Sequence, residues 1–136
     1  MISFDEIRQV IISRFKTVHD AAHPTITANY PNRFTVDLEN YNKSFFVNVS
    51  VDFGNSIDAS DLTRTDLEIE GYFKVSAISK VGMGSKTLLD YIDTIIANMI
   101  SVGITGINFG KMRILEVSPY PGYYGQMLSV KFKCIK

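Results

Sequence analysis

Apolar residues near the N-terminus recur at spacings of three and four: Phe4, Ile7, Val10, Ile11, Phe15 and Val18. That period draws one apolar stripe down a helix. Ser3 and Glu6 stand as S-x-x-E just ahead of it, so the Ser3 hydroxyl is placed to accept from the third helical N–H while Glu6 reaches back to the Ser3 amide. Pro24 follows His19 and His23 and cannot continue the helix, which predicts an end near residues 18 to 22. From Arg33 the period becomes two. Phe34, Val36 and Leu38 alternate with polar neighbours, and Phe45, Val47, Val49, Val51 and Phe53 alternate with Phe46, Asn48, Ser50 and Asp52, as strands with one dry and one wet face do. Asn40 to Lys43 is the expected hairpin turn between them.

Gly54 to Thr65 is polar and poor in apolar residues, which predicts a long loop. A further strand follows from Leu67 to about Lys80, with Ile69, Phe73, Val75 and Ala77 on one face and Glu68, Glu70, Tyr72 and Lys74 on the other. After Gly82 and Gly84, Ser85 is placed to cap a second helix in which Leu88, Leu89, Ile92, Ile95, Ile96 and Met99 repeat at helical spacing, ended by Gly103 and Gly106. Met112 to Ser118 and a last strand carrying Leu128, Val130, Phe132 and Cys134 flank a turn at Pro119 to Gly122. This order predicts one α+β domain over residues 1–136, an antiparallel sheet of four to five strands with two helices packed on one face.

Length supports a single core, since 136 residues bury about two thirds of their unfolded surface. With 46% hydrophobic and 21% charged residues, the chain lacks the composition of a disordered segment. Fourteen basic residues balance fourteen acidic ones, which removes the positive field expected of a protein that grips a phosphate backbone. Cys134 is the single cysteine, so no intrachain disulfide or thiolate metal cluster can form. Met1 is followed at once by Ser3, Asp5 and Glu6, so no signal peptide is expected, and no apolar run approaches the ~20 residues of a membrane span.

Candidate chemistry is sparse. Gly82-Met83-Gly84-Ser85-Lys86-Thr87 lies between a strand and a helix, where phosphate loops sit, but Ser85 precedes Lys86 where a glycine is required, and Lys80 occupies the place of the first glycine. His19 and His23 have a metal-ligand spacing without a third ligand or an H-E-x-x-H pattern, and the plain expectation is two polar residues where the helix meets solvent. Asp58, Asp61 and Asp66 lack the spacing and glycine of a calcium loop. No G-x-S-x-G elbow occurs, and Cys134 falls among apolar-face residues as a small core side chain. Tyr120, Tyr123 and Tyr124 cluster around Pro121 and Gly122, either as an interface loop or as a loop folded over its own core edge.

The amphipathic N-terminal helix, the strand FFVNVSVDF, the passage through V-G-M-G-S-K into LLDYIDTIIANM, and two closing strands split by a proline-glycine turn together resemble the tail terminator proteins of long-tailed, siphovirus-like bacteriophages. The resemblance spans nearly the whole chain and rests on element order more than on any catalytic motif. It implies a non-enzymatic virion protein without cofactor or metal, made in the host bacterial cytoplasm. Such a protein assembles as a ring, usually a hexamer, on the end of the tail tube. Its partners are then its own copies, the tail tube protein and the head-completion (connector) protein, with DNA only in passing through the lumen and no membrane contact. On this reading Ile57, Leu62, Arg64, Tyr120, Tyr123, Tyr124, Lys131 and Lys133 are candidate assembly-interface residues, and Asp52, Glu68 and Glu70 are candidate lumen residues. Lys74, Lys131 and Lys133 share the lumen face and are expected to pair with acidic residues of a neighbouring chain. The alternatives are a small-ligand binding domain or enzyme on the same scaffold, with a pocket between the second helix and the Gly54 to Thr65 loop, and a monomeric adaptor that uses the tyrosine cluster.

Overall fold

A computed structural model of the chain describes residues 3–30, 45–54, 68–80, 85–118 and 121–135. Helix α1 (Phe4–Ala22) starts where the capping pattern places it, with the Glu6 N–H donating to Ser3 Oγ at 3.1 Å. It is followed by β1 (Thr27–Asn29), β2 (Phe45–Phe53), β3 (Glu68–Lys80), α2 (Lys86–Ile95), β4 (Ile107–Val117) and β5 (Tyr123–Ile135). The expected strand at Phe34 to Leu38, the turn at Asn40 to Lys43, residues 55–65 of the polar loop and the expected strand start at Leu67 lie outside the described residues.

The five strands form one sheet in the order β1-β2-β3-β5-β4. All neighbouring pairs are antiparallel except β1 with β2, so the sheet is mixed rather than wholly antiparallel. Three residues, Thr-Ala-Asn, are too short to show a period, which is why β1 left no pattern in the sequence. Asn29 Nδ2 donates to Asn48 Oδ1 at 3.0 Å across this pair.

One face of the sheet is continuously apolar. Val47, Val49 and Val51 of β2, Ile69, Phe73 and Val75 of β3, and Leu128, Val130 and Phe132 of β5 join Ile7, Ile11 and Phe15 of α1 and Leu88, Ile92 and Ile95 of α2 in a single core. Helix α1 lies against β2 and α2, and α2 lies against β3 and β5. Two stripe positions depart from expectation: Val10 is 41% exposed and Leu89 is 36% exposed, and Tyr91 takes the buried place on α2. Helices meeting at a shared seam bury a narrower stripe than one flat on a sheet, so the flanking apolar residues stay outside.

Ser85 occupies the start of α2 with helical dihedrals, and its side chain makes no capping bond, contrary to expectation. A capping side chain reaches the second or third amide from an extended residue, and Ser85 is already wound into the turn. The last turn widens into a π turn over Ile96–Ile100, where the Ser101 N–H reaches the Ile96 carbonyl. Gly103 then closes the helix at φ 79, its N–H donating to the Met99 carbonyl at 2.9 Å. Strand β4 begins at Ile107, five residues before the expected Met112, because a bulge between Phe109 and Met112 breaks the alternation that would have revealed it.

Where β2, β3 and β5 cross near their ends, the packing depends on Gly71. A Cβ there would lie 2.5 Å from the Asp52 carbonyl oxygen and 2.6 Å from the Phe132 ring. Backbone cannot yield as a side-chain tip can. Gly71→Ala should therefore lower the urea unfolding free energy by about 1–3 kcal/mol. Gly110→Ala meets, among the described residues, only the Lys131 carbonyl at an ordinary 3.6 Å and should change it by no more than about 0.5 kcal/mol.

Candidate functional site

Three features outside the apolar core carry chemistry. The first joins the two helices. His19 is 2% exposed, so the expectation of a solvent-facing histidine is corrected. Its Nε2 lies 2.7 Å from the Ile26 carbonyl and its Nδ1 2.7 Å from the Tyr91 hydroxyl. A carbonyl only accepts, so Nε2 carries the hydrogen, and in the neutral form of the ring Nδ1 accepts the Tyr91 O–H. Burial, then the nearby Tyr30, pushes the Tyr91 phenol up, so it stays protonated. The arrangement is a satisfied polar tie, with Phe15 stacked on the His19 ring. Among the described residues no group of three or more His, Cys, Asp or Glu side chains could hold a metal ion.

His23 sits beside this tie, its ring centroid 5.0 Å from that of Tyr91. Burial, then the positive charge of His19 when protonated, lowers its affinity for a proton below the ordinary value of 6.5.

The second feature is the polar face of the sheet. Asp52, Glu68 and Glu70 all lie there, as expected, but the lysines beside them pair within the chain. Lys74 Nζ lies 3.1 Å from Asp52, Lys131 lies 3.7 Å from Glu70, and Lys133 lies 3.5 Å from Glu68 and 3.3 Å from Glu70. The register places Lys133 opposite Glu70 and Lys131 opposite Tyr72, which corrects the expectation of partners on a neighbouring chain. The hydrogen bond to Glu70, then the charges of Glu68 and Glu70, holds the Lys133 ammonium above the usual lysine range. These half-exposed pairs add little stability each. Their effect is on the field: three carboxylates and three lysines interleave over one surface.

Toward the other end of the same face, Phe46 and Ile78 are buried and the Tyr123 ring lies 5.8 Å from that of Phe46. Tyr123 and Tyr124 thus belong to β5 and not to a loop, and they point to opposite faces. Tyr124 packs on the main core and its hydroxyl accepts from Gln126. Tyr120, Ile57, Leu62 and Arg64, together with Asp58, Asp61 and Asp66, lie outside the described residues.

The third feature is the edge strand β4. From Gly110 to Glu116 every residue is exposed, including Met112 at 45%, Ile114 at 47% and Leu115 at 36%. Among the described residues its outer side carries no strand. An 11-residue edge with apolar side chains on both faces is the kind of surface that soluble proteins blunt or use. On the outer side of α1 a shallow groove of about 550 Å³ runs past Glu6, Val10, Arg14 and Ile104.

The residues singled out for nucleotide or nucleophilic chemistry stand apart from all three features. Lys86 is exposed and pairs with Asp90 one turn along α2 at 2.8 Å, and the glycine loop at 81–84 lies outside the described residues. Cys134 is buried, and burial pushes its thiol up, as expected of a small core residue. Sequence reasoning missed Tyr91 and the β4 edge. Tyr91 does lie in register with Leu88, Ile92 and Ile95, whereas exposure on β4 has no sequence signal of its own.

No family model and no curated protein matches the chain. A solved structure whose name states no activity aligns over 100% of this chain and 97% of its own, with a TM-score of 0.66 at 14% identity. At that identity the likeness is one of fold.

Tyr91→Phe leaves His19 Nδ1 buried without its donor and should cost about 1–3 kcal/mol in urea unfolding. His23 adds a pH dependence. Its folded form binds a proton less readily than its unfolded form, so its stability contribution is complete above about pH 6.5 and declines as pH falls through that value. Unfolding midpoints should drop between about pH 7.5 and about pH 5.5, and His23→Gln should remove part of the drop.

Proposed function

We propose that this chain is a structural, non-enzymatic protein of a bacteriophage tail that assembles as a ring, of six copies by family resemblance, on the end of the tail tube. There it stops tube polymerisation and presents a surface to the head-completion protein. The observation that carries this reading is the long exposed edge strand β4, whose Met112, Ile114 and Leu115 form a surface suited to contact with other protein chains. The element order that resembles tail terminators supports it, as does an overall charge balance that imposes little repulsion on packing identical chains.

The interleaved face fits the passage of DNA. A channel through which a polyanion slides must avoid clustered unpaired cations, because each phosphate neutralised adds affinity through counterion release. Lys74, Lys131 and Lys133 are each held by Asp52, Glu68 or Glu70, which withdraws them from phosphates. In the proposed ring this face lines the lumen.

Negative-stain imaging of concentrated protein, alone and on purified tail tubes, should show discs with a central hole. A chain that stays monomeric in both conditions and does not bind tubes ends the terminator reading. Replacing Glu68 and Glu70 by lysine should leave the fold intact, since exposed strand charges cost little. It should also give rings that bind DNA with a steep salt dependence. Rings of this double variant that ignore DNA would show that these carboxylates do not line the path.

A further inference from the structure

The bulge between Phe109 and Met112 sets which way the open edge of β4 turns each side chain. Beyond it Met112 opposes Val130 and Ile114 opposes Leu128, so both lie on the helix side of the sheet, where they are left 45% and 47% exposed. Arg113 opposes Ser129 and lies, with Lys111, on the other face. Both cations are exposed, and among the described residues neither makes an ion pair. The edge thus shows an apolar row on one face and a basic row on the other, beside backbone groups that no strand covers among the described residues. Such an edge fits an extended segment whose residues alternate apolar and acidic. The stretch Phe34-Thr35-Val36-Asp37-Leu38-Glu39 has that alternation, whereas Glu68 to Glu70, which shares it, is already paired with β5. Set antiparallel with Val36 opposite Ile114, the stretch brings Leu38 opposite Met112, Asp37 opposite Arg113 and Glu39 opposite Lys111. Sliding it by two residues in either direction leaves one acid opposite a base, and sliding by one turns its apolar residues to the basic face.

We infer that the β4 edge takes residues 34–39 of a second copy of this chain as an added antiparallel strand, with Asp37 against Arg113 and Glu39 against Lys111. The stretch of the same copy falls short. A strand outside β4 lies five strand spacings from β1, about 24 Å along the sheet, and the five residues from Asn29 to Phe34 span at most about 18 Å. Main-chain bonds along the edge supply the contact, and the two faces select the partner by alternate side chains. The contact is head to tail, so each copy gives one strand and receives one, and a series of copies closes into a ring where the rotation permits. The inference deepens the ring reading by naming the joint, and it rests on that reading only for closure.

The test is a disulfide trap between two single variants, with the native Cys134 buried. Val36→Cys mixed with Ile114→Cys under mild oxidation should give covalent dimers, and neither variant alone should do so beyond the background of the unmodified chain. Dimers of Ile114→Cys alone would show two β4 edges paired with each other and overturn the joint, as would a cross-linked monomer when both substitutions share one chain. In sedimentation, Asp37→Arg and Arg113→Asp should each weaken self-association about fivefold or more, and the two combined in one chain should recover it. Weakening without recovery overturns the register. Rings that form in stain without the mixed cross-link overturn the joint and leave the ring reading standing. A mixed cross-link without discs upholds the joint and ends the closed ring. Absence of both overturns both.

Discussion

The thirteen-residue register between β3 and β5 sets both faces of the molecule at once. Phe73 opposite Val130 and Val75 opposite Leu128 place large apolar side chains under the helices, and the same alignment sets Glu70 opposite Lys133 on the far side. A slip of one residue would turn the core outward and dismantle the charge ladder together. Gly71 guards this register at one end. It lets Phe132 cross over the β2–β3 pair, and a side chain there would meet the Asp52 backbone.

The two helices, packed on that sheet through the shared apolar core, are further tied to each other by one polar contact. His19 links the end of α1 to Tyr91 in the middle of α2 and to the Ile26 carbonyl just before β1. Buried donors and acceptors must all be met, so the tie admits only one relative placement of these three segments. Apolar contact alone would tolerate several. The short parallel strand β1 is held where it is partly by this bond to its approach, and partly by the Asn29–Asn48 contact.

The edge strand β4 is the unbalanced part of the fold. Its bulge at Phe109 to Met112, with Lys111 and Arg113 beside it, carries the devices that keep an edge from uncontrolled pairing. Its Met112, Ile114 and Leu115 nevertheless stay exposed. The ladder on the polar face differs in character, with Lys74, Lys131 and Lys133 each paired to a carboxylate of the same chain.

Period and capping determined much of this in the sequence itself. The stripe at Ile7, Ile11 and Phe15, the Ser3 cap, the alternation in β2, β3 and β5 and the burial of Cys134 are local consequences of side-chain spacing, readable without a partner. Other features were decided only when distant segments met. His19 looked like a helix-end polar residue until Tyr91, 72 positions away, supplied its hydrogen. The lysines of the polar face found their carboxylates across strands, where opposite positions lie close enough for side chains to reach. Most of all, the sequence of β4 gives no hint that two helices suffice for only part of a five-stranded sheet, because exposure is set by the width of the layer above a strand and not by the strand's own residues.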